Sequence, residues 1–245
     1  MSKVKSYAAL QADKPLHPHD INRRDINPDD VNIDILYCGV CHSDIHMARN
    51  EWNNTSIYPM VPGHEIIGIV KEVGSSVTKF KVGDNVGVGV YVDACEKCDN
   101  CNSGKDHYCE EGIVLTYNSY EYGTRNITYG GYSKRIVVKE NYVIKVPSEM
   151  DMKKAAPLLC AGITTYSPLR HFKINSNHKV GIAGLGGLGH MGLKFASSFG
   201  ADVVVFSTSD SKKDEAFEMG ANHFVNVNNN KDVRKHMNSC DYILD

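Results

Sequence analysis

The stretch from Lys179 to Gly189, Lys-Val-Gly-Ile-Ala-Gly-Leu-Gly-Gly-Leu-Gly, decides the fold of the second half of the chain. Its first five residues predict a buried strand, and an apolar helix over Leu188–Phe199 follows the glycines. Such glycines permit a tight turn and let the backbone approach a pyrophosphate at the helix N-terminus. A chance glycine-rich turn is the alternative, but it would not need this strand and helix around it. The stretch therefore predicts a dinucleotide site at Gly184, Gly186, Gly187, Leu188 and Gly189.

Helix-type and strand-type runs alternate on both sides of this turn. Met152–Pro168 is alanine-rich and apolar, and Lys212–Met219 predicts another helix. Further strands are predicted at Asp202–Ser207, His223–Val227 and Tyr242–Asp245. Because parallel strands need long return connections, this alternation indicates a parallel sheet with right-handed crossovers. A doubly wound sheet usually has about six strands. We therefore expect residues 153–245 to form an incomplete doubly wound (Rossmann) sheet in a truncated chain.

The end of the second predicted strand indicates which nucleotide binds. An NAD site usually places Asp or Glu about 20 residues after the glycines, where it binds a ribose hydroxyl. Here the sequence has small hydroxyl side chains and a cation instead, at Ser207, Thr208, Ser209 and Lys212. Asp210 could be the missing acid, but its position is more typical of a helix cap. NADP is therefore predicted in preference to NAD.

The first half of the chain has a different texture, with short β-type runs separated by Gly, Pro and Asp turns. The runs are Val31–Tyr37, Ile66–Val73, Asn85–Val92, Tyr132–Val138 and Tyr142–Val146. They predict a β-rich barrel or sandwich over residues 1–152.

Four cysteines lie close together in one polar loop, at Cys95, Cys98, Cys101 and Cys109. Four thiolates form a closed tetrahedral set around zinc, which leaves no open position for a substrate. Free surface cysteines would not explain the repeated two-residue gaps. A zinc ribbon that binds nucleic acid would need a Lys/Arg stripe that the loop lacks. The loop predicts a structural zinc site.

Cys41, His64 and Cys160 are dispersed candidates for a second zinc site. A catalytic zinc has three protein ligands and one open position, and two sulfurs with one nitrogen are such a set. Each residue alone is also compatible with core packing, because free cysteine packs like a small apolar side chain. Both interpretations remain open on these residues alone.

The motifs around these residues resemble the zinc-containing medium-chain alcohol dehydrogenases. They are Gly39–Asp44 (Gly-Val-Cys-His-Ser-Asp), Val61–Glu65 (Val-Pro-Gly-His-Glu), the four-cysteine loop and Leu159–Tyr166. Thr116–Asn118 and Tyr129–Ser133 are similar to the cinnamyl alcohol dehydrogenase branch. The resemblance runs from Tyr7 to Asp245. It implies an α/β protein in which a GroES-like β-barrel catalytic domain precedes an incomplete Rossmann sheet.

The resemblance also implies roles for individual residues. Cys41, His64 and Cys160 would bind the catalytic zinc, with Glu65 as an intermittent ligand and Asp44 as acceptor for the imidazole of His64. Ser43 and His46 would form a proton relay, although Ser43 and Asp44 are also typical helix caps. Thr164 would contact the nicotinamide. Trp52 and Tyr91 would line the substrate pocket, or would simply pack in the core.

The implied function is interconversion of primary alcohols and aldehydes by hydride transfer with NADP(H). The alternative is a catalytically inactive, truncated zinc-binding fragment. The formal charge of −2 favours a small-molecule partner over nucleic acid or a membrane surface. The N-terminus does not resemble a signal peptide, so we expect a cytoplasmic location, in which the eight cysteines would not form disulfides. A complete chain would form a homodimer.

Overall fold

The computed structural model describes residues Met1–Asp245 and divides them into two compact units, Met1–Cys160 and Ala161–Asp245. The sequence pattern predicts an earlier boundary between the two units, after Met152. Residues 153–160 belong with the first unit because Ala155 and Ala156 are buried against Ile67 and Val146.

The first unit consists mainly of antiparallel strands. The strands are β1 (Ser2–Ala8), β2 (His17–Arg23), β3 (Asp30–Cys38), β4 (Ile66–Val73), β5 (Asn85–Val88), β6 (Tyr91–Asp93), β7 (Val114–Leu115), β8 (Arg135–Lys139) and β9 (Val143–Lys145). The helices are short: α1 (His42–Ala48), α2 (Asp99–Asn102) and α3 (Met152–Ala155). The main sheet has the strand order β8-β3-β4-β5-β9, and β1-β2 and β6-β7 form separate pairs.

Alternating side chains give this unit its core. Val31 and Ile33 of β3 and Val86 and Val88 of β5 are fully buried on one face of the sheet. This period of two is what the pleat of a β-strand produces. The core reaches the four-cysteine loop, because Cys109 belongs to the same buried cluster.

Three details of the first unit differ from the sequence-based prediction. The β1-β2 hairpin was not predicted. The run Asn85–Val92 is two strands, because the chain leaves the main sheet after β5 and pairs with β7 from β6 onward. The predicted strand Tyr132–Val138 begins only at Arg135, since Tyr132 bonds instead through its carbonyl to the amide of Tyr7 at 2.8 Å.

The second unit is an α/β unit with a parallel sheet. Its elements are α4 (Ala161–His171), β10 (Lys179–Ala183), α5 (Gly187–Ser198), β11 (Asp202–Ser207), α6 (Lys213–Glu218), β12 (His223–Asn226), α7 (Asn230–Lys235) and β13 (Tyr242–Leu244). The strand order is β12-β11-β10-β13, and every pair is parallel. This order is that of the first four strands of a doubly wound nucleotide-binding sheet.

The strands of this unit were predicted almost to the residue, but two helical regions were not. Met152–Pro168 is not one helix, because a 3-10 turn over Ala156–Leu159 and Cys160 separate α3 from α4. Helix α7 was not predicted. No helix of the protein has both the length and the apolar character that crossing a membrane requires.

Candidate zinc and nucleotide sites

Three loops of the first unit bring the dispersed cysteines and histidine together. Cys41 is the N-cap of α1, His64 directly precedes Glu65 and β4, and Cys160 follows the 3-10 turn after α3. The Sγ atoms of Cys41 and Cys160 are 3.9 Å apart. One ligand atom from each of Cys41, His64, Glu65 and Cys160 lies within 4.8 Å of the others. These four residues therefore form a compact metal-type cluster.

Asp44 is only 2% exposed, and its carboxylate hydrogen-bonds to residues of this cluster and of the loop beside it. Its Oδ1 accepts the Gly63 amide at 2.9 Å and lies 3.0 Å from Nδ1 of His64. Its Oδ2 accepts the Cys41 amide at 3.1 Å. Burial would raise the pKa of Asp44, but the bonds from His64 and the two amides lower it overall. Asp44 therefore caps α1 and binds His64 at the same time, so the two roles considered from the sequence coexist.

The groups that face His64 favour a positive charge at this cluster. Burial alone would lower the pKa of His64, but its bonds to Asp44 and Cys160 raise that pKa to about 11. Two sulfurs, one nitrogen and a carboxylate are donors that zinc accepts, so the residues fit the metal.

Gly39 makes room for the carboxylate of Glu65. A Cβ atom at Gly39 would collide with Oε2 of Glu65, so no other residue fits there without displacing the acid. The requirement for glycine at this position follows from that close approach.

The predicted relay residues lie on α1 but are not hydrogen-bonded to each other. Ser43 contacts the Sγ of Cys41 at 3.5 Å. His46 stacks between His42 and Trp52, and its Nδ1 lies 2.5 Å from Oε2 of Glu51. Glu51 was not singled out in the sequence, because a single exposed acid five residues from a histidine gives no distinctive signal.

The two aromatic candidates for the substrate pocket lie in different surroundings. Trp52 is 43% exposed and lies against His46. Tyr91 packs edge-on against Tyr142 beside the sheet core. Whether either contacts a substrate stays a prediction.

The four-cysteine loop brings its sulfurs together as expected. One Sγ from each of Cys95, Cys98, Cys101 and Cys109 lies within 4.8 Å of the others, and none of the eight cysteines is in a disulfide. The amide of Cys98 donates to the Sγ of Cys95 at 3.3 Å. The amide of Cys95 donates to the Sγ of Cys109 at 3.4 Å. Amide donors stabilise thiolates, and thiolates are the form that binds zinc.

Backbone amides lower the pKa of Cys95, but burial and the neighbouring thiols raise it overall, so the effect of the amide donors appears in the pKa of Cys109. Burial would raise it, but the Cys95 amide and the hydroxyl of Tyr122 lower it to about 6. The loop is also tied to the sheet, since Nζ of Lys139 binds Asp93 at 2.7 Å and Glu96 at 2.9 Å. The sulfur set fits a closed structural zinc site.

The glycine turn of the second unit offers an open cradle before α5. Gly184 has φ +82°, and a Cβ at Gly189 would collide with its carbonyl oxygen. Nothing lies within 4 Å of a Cβ built on Gly186 or Gly187. Gly186 is the N-cap, and no side chain hydrogen-bonds to the first amides of α5 as a cap. This geometry fits a pyrophosphate.

The predicted residues for the nucleotide phosphate gather beside that turn. Nζ of Lys212 donates to the carbonyl of Leu185 at 2.7 Å, which places the cation on the glycine loop. Ser207 ends β11, and its Oγ accepts the Ser209 amide at 3.3 Å. Asp210 is not the cap expected from the sequence. Ser209 caps the following 3-10 turn, and Asp210 accepts from Asn226 at 2.8 Å.

The remaining predicted contacts, Thr164, Leu188 and Thr208, lie at the surface of the second unit. Thr164 is on α4, Leu188 is in the first turn of α5, and Thr208 directly follows β11. Their roles stay predictions.

Both units match models of known protein families. Residues 27–148 match the alcohol dehydrogenase GroES-like domain, and residues 187–245 match the zinc-binding dehydrogenase model. With relatives that are half identical over most of their own length, these matches show that the chain belongs to the zinc-containing alcohol dehydrogenase family. The family and the fold class predicted from the motifs are confirmed.

Within this family the chain is similar to several named proteins. It is 50% identical to the aldehyde reductase YahK of Escherichia coli, covering 99% of this chain and 69% of the relative. It is 50% identical to NADP-dependent alcohol dehydrogenase C 1 of Mycolicibacterium smegmatis, covering 100% of this chain and 70% of the relative.

Two solved cinnamyl alcohol dehydrogenases have similar structures. The Sorghum bicolor protein SbCAD4 gives a TM-score of 0.95 at 41% identity, covering 99% of this chain and 69% of that one. The Helicobacter pylori protein, in complex with NADP(H), gives 0.87 at 49% identity, covering 91% and 64%. The chain thus spans about two thirds of the length of these relatives.

Proposed function

We propose that this protein is a zinc-dependent oxidoreductase that interconverts primary alcohols and aldehydes by hydride transfer with NADP(H), similar to cinnamyl alcohol dehydrogenases. The observation that carries the proposal is the convergence of Cys41, His64, Glu65 and Cys160 within 4.8 Å. The names of the relatives support the cofactor and the substrate class.

The proposed catalytic ligands are Cys41, His64 and Cys160, with Glu65 as an intermittent ligand. Zinc bound there would supply Lewis-acid chemistry, lowering the pKa of an alcohol and polarising a carbonyl. The second proposed zinc, held by Cys95, Cys98, Cys101 and Cys109, would be structural.

Protein groups would carry the alcohol proton away. We assign its acceptance to Ser43, which contacts Cys41 at 3.5 Å, and its release to solvent to His46, which is partly exposed. Because Ser43 and His46 share no hydrogen bond, a water or ligand hydroxyl must bridge them. Glu51 orients the imidazole through Nδ1 and leaves Nε2 free to take the proton.

NADP would bind along the glycine turn, with its pyrophosphate at Gly184, Gly186, Gly187, Leu188 and Gly189. Ser207, Thr208, Ser209 and Lys212 would surround the 2′-phosphate, and Thr164 would contact the nicotinamide. The bound nucleotide would accept or donate the hydride.

Replacing Lys212 by Glu is expected to weaken NADPH binding by roughly 10-fold to 100-fold, since a charge-assisted bond to phosphate is lost and a repulsive charge is gained. NADH binding should change by less than about 3-fold, because NADH has no 2′-phosphate. Titrations of nucleotide fluorescence measure both constants, with the exposed Lys213 changed to Glu as the control. Equal losses for both nucleotides would contradict the assignment.

The function is tested by following NADPH absorbance with aromatic, allylic and aliphatic aldehydes, alongside zinc analysis. The proposal expects two zinc ions per chain and zinc-dependent oxidation of NADPH. The alternative of an inactive zinc-binding fragment expects the same zinc content and no NADPH oxidation. The cytoplasmic location and the homodimer stay predictions.

A further inference from the structure

A tyrosine hydroxyl is a further donor to Asp44. The hydroxyl of Tyr132 donates to Oδ2 of Asp44 at 3.1 Å. Each carboxylate oxygen thus has two donors: the Gly63 amide and His64 on Oδ1, and the Cys41 amide and Tyr132 on Oδ2. A carboxylate with all of these bonds made has one rotational position.

The segment that carries Tyr132 is tied directly to the loop that carries His64. The amides of Gly130, Gly131 and Tyr132 donate to the carbonyls of Val61, Gly63 and Pro62 at 2.7, 2.8 and 3.0 Å. Cys38 fills the space between the two segments, since its Sγ would lie within 2.8 Å of a Cβ built on either Gly63 or Gly131. The backbone of Tyr132 is therefore held against the loop that carries His64.

A buried arginine fixes the same segment from its other side. Arg23 is 8% exposed and donates to the carbonyls of Tyr129 and Gly130 at 2.6 and 3.0 Å. It also donates to Oγ of Ser133 at 2.9 Å. Bonds on both flanks therefore fix the backbone position of Tyr132.

We propose that Tyr132 is a positioning residue for the zinc ligand His64 and acts through Asp44. Its hydroxyl holds the carboxylate in the rotation that accepts from Nδ1 of His64, so that Nε2 faces the sulfurs of Cys41 and Cys160. The inference rests on the proposed function in one respect, namely that His64 binds zinc.

The test is zinc transfer from the whole chain to a chromogenic chelator, comparing wild type with Tyr132→Phe. The variant keeps the ring and removes only the hydroxyl. The four-sulfur site provides an internal reference in the same molecule. Loss of a partner behind a metal ligand typically costs 10-fold to 100-fold in metal affinity. We expect one of the two zinc ions to leave about 10-fold faster from Tyr132→Phe and the other to leave at the wild-type rate.

Two further variants distinguish a positioning role of Tyr132 from a general destabilisation of both zinc sites. Tyr129→Phe removes a hydroxyl that makes no hydrogen bond on the same segment, and it should release both ions at wild-type rates. In an Asp44→Asn background, Tyr132→Phe should add no further acceleration, because residues acting through one group are not additive. With cobalt in place of zinc, Tyr132→Phe should shift the visible absorption bands of one site only.

Three results would overturn the inference. They are unchanged zinc release from Tyr132→Phe while Asp44→Asn releases one ion faster, equal acceleration of both ions, and full additivity of the two substitutions. A wild-type chain with zinc only in the four-sulfur site would instead refute the proposed function, and the inference with it. Thermal unfolding of each variant checks that the fold is retained.

Discussion

Replacing His64 by Asn is expected to lower the zinc content from two ions per chain to one and to reduce aldehyde reduction at least about 1,000-fold. This decrease in activity is expected because a Lewis-acid metal provides several kcal/mol of transition-state stabilisation. His64 supplies the only imidazole among the four residues of its cluster. Without it, two sulfurs and a carboxylate remain, and Asp44 loses one of its hydrogen-bond partners. Metal analysis and NADPH absorbance measure the two effects.

The matched control for His64 is His17→Asn, because His17 is exposed on β2 and belongs to neither metal-type cluster. This control should keep both zinc ions and full turnover. A His64→Asn protein that still holds two ions would show that the imidazole is not a ligand.

Replacing Cys101 by Ser should have a different effect, namely loss of the other zinc ion and of thermal stability. The four sulfurs pack against the main core of the first unit, so a loop without its metal exposes that core. Structural zinc contributes to folding directly, and we expect the melting temperature to fall by roughly 10 °C. Scanning calorimetry with zinc analysis measures both changes.

Cys240→Ser is the control for this substitution, because Cys240 belongs to neither cluster. It should change neither the zinc content nor the melting temperature appreciably. If Cys101→Ser melted at the wild-type temperature after losing its zinc, the structural role of the loop would be wrong.

The sequence predicted most of the elements that local patterns determine. The strand Lys179–Ala183 and the strand Asp202–Ser207 have the predicted bounds, because buried parallel strands are continuous apolar runs between glycines and polar turns. The four-cysteine site was predicted from the spacing of its cysteines, whereas the set of Cys41, His64 and Cys160 was predicted from the resemblance of the surrounding motifs to a known family.

The parts that the sequence did not predict depend on contacts between distant segments. The hairpin β1-β2 has a weak apolar pattern, because Val4, Ala8 and Ile21 are its only buried apolar side chains. It is held in part by the bond from the Tyr7 amide to the distant Tyr132 carbonyl. For the same reason Tyr132 was recognised only as part of a motif. Its bond to Asp44 spans 88 residues of chain and has no local signature.

Metal analysis combined with zinc X-ray absorption spectroscopy of the purified chain tests the central claim most directly. Six cysteines and one histidine divided over two sites predict two zinc ions per chain. The coordination shell, averaged over the two zinc ions, should contain about three sulfurs near 2.3 Å and about one nitrogen or oxygen near 2.0 Å. A single zinc ion per chain with a shell of sulfur alone would contradict a second metal site built on Cys41, His64 and Cys160.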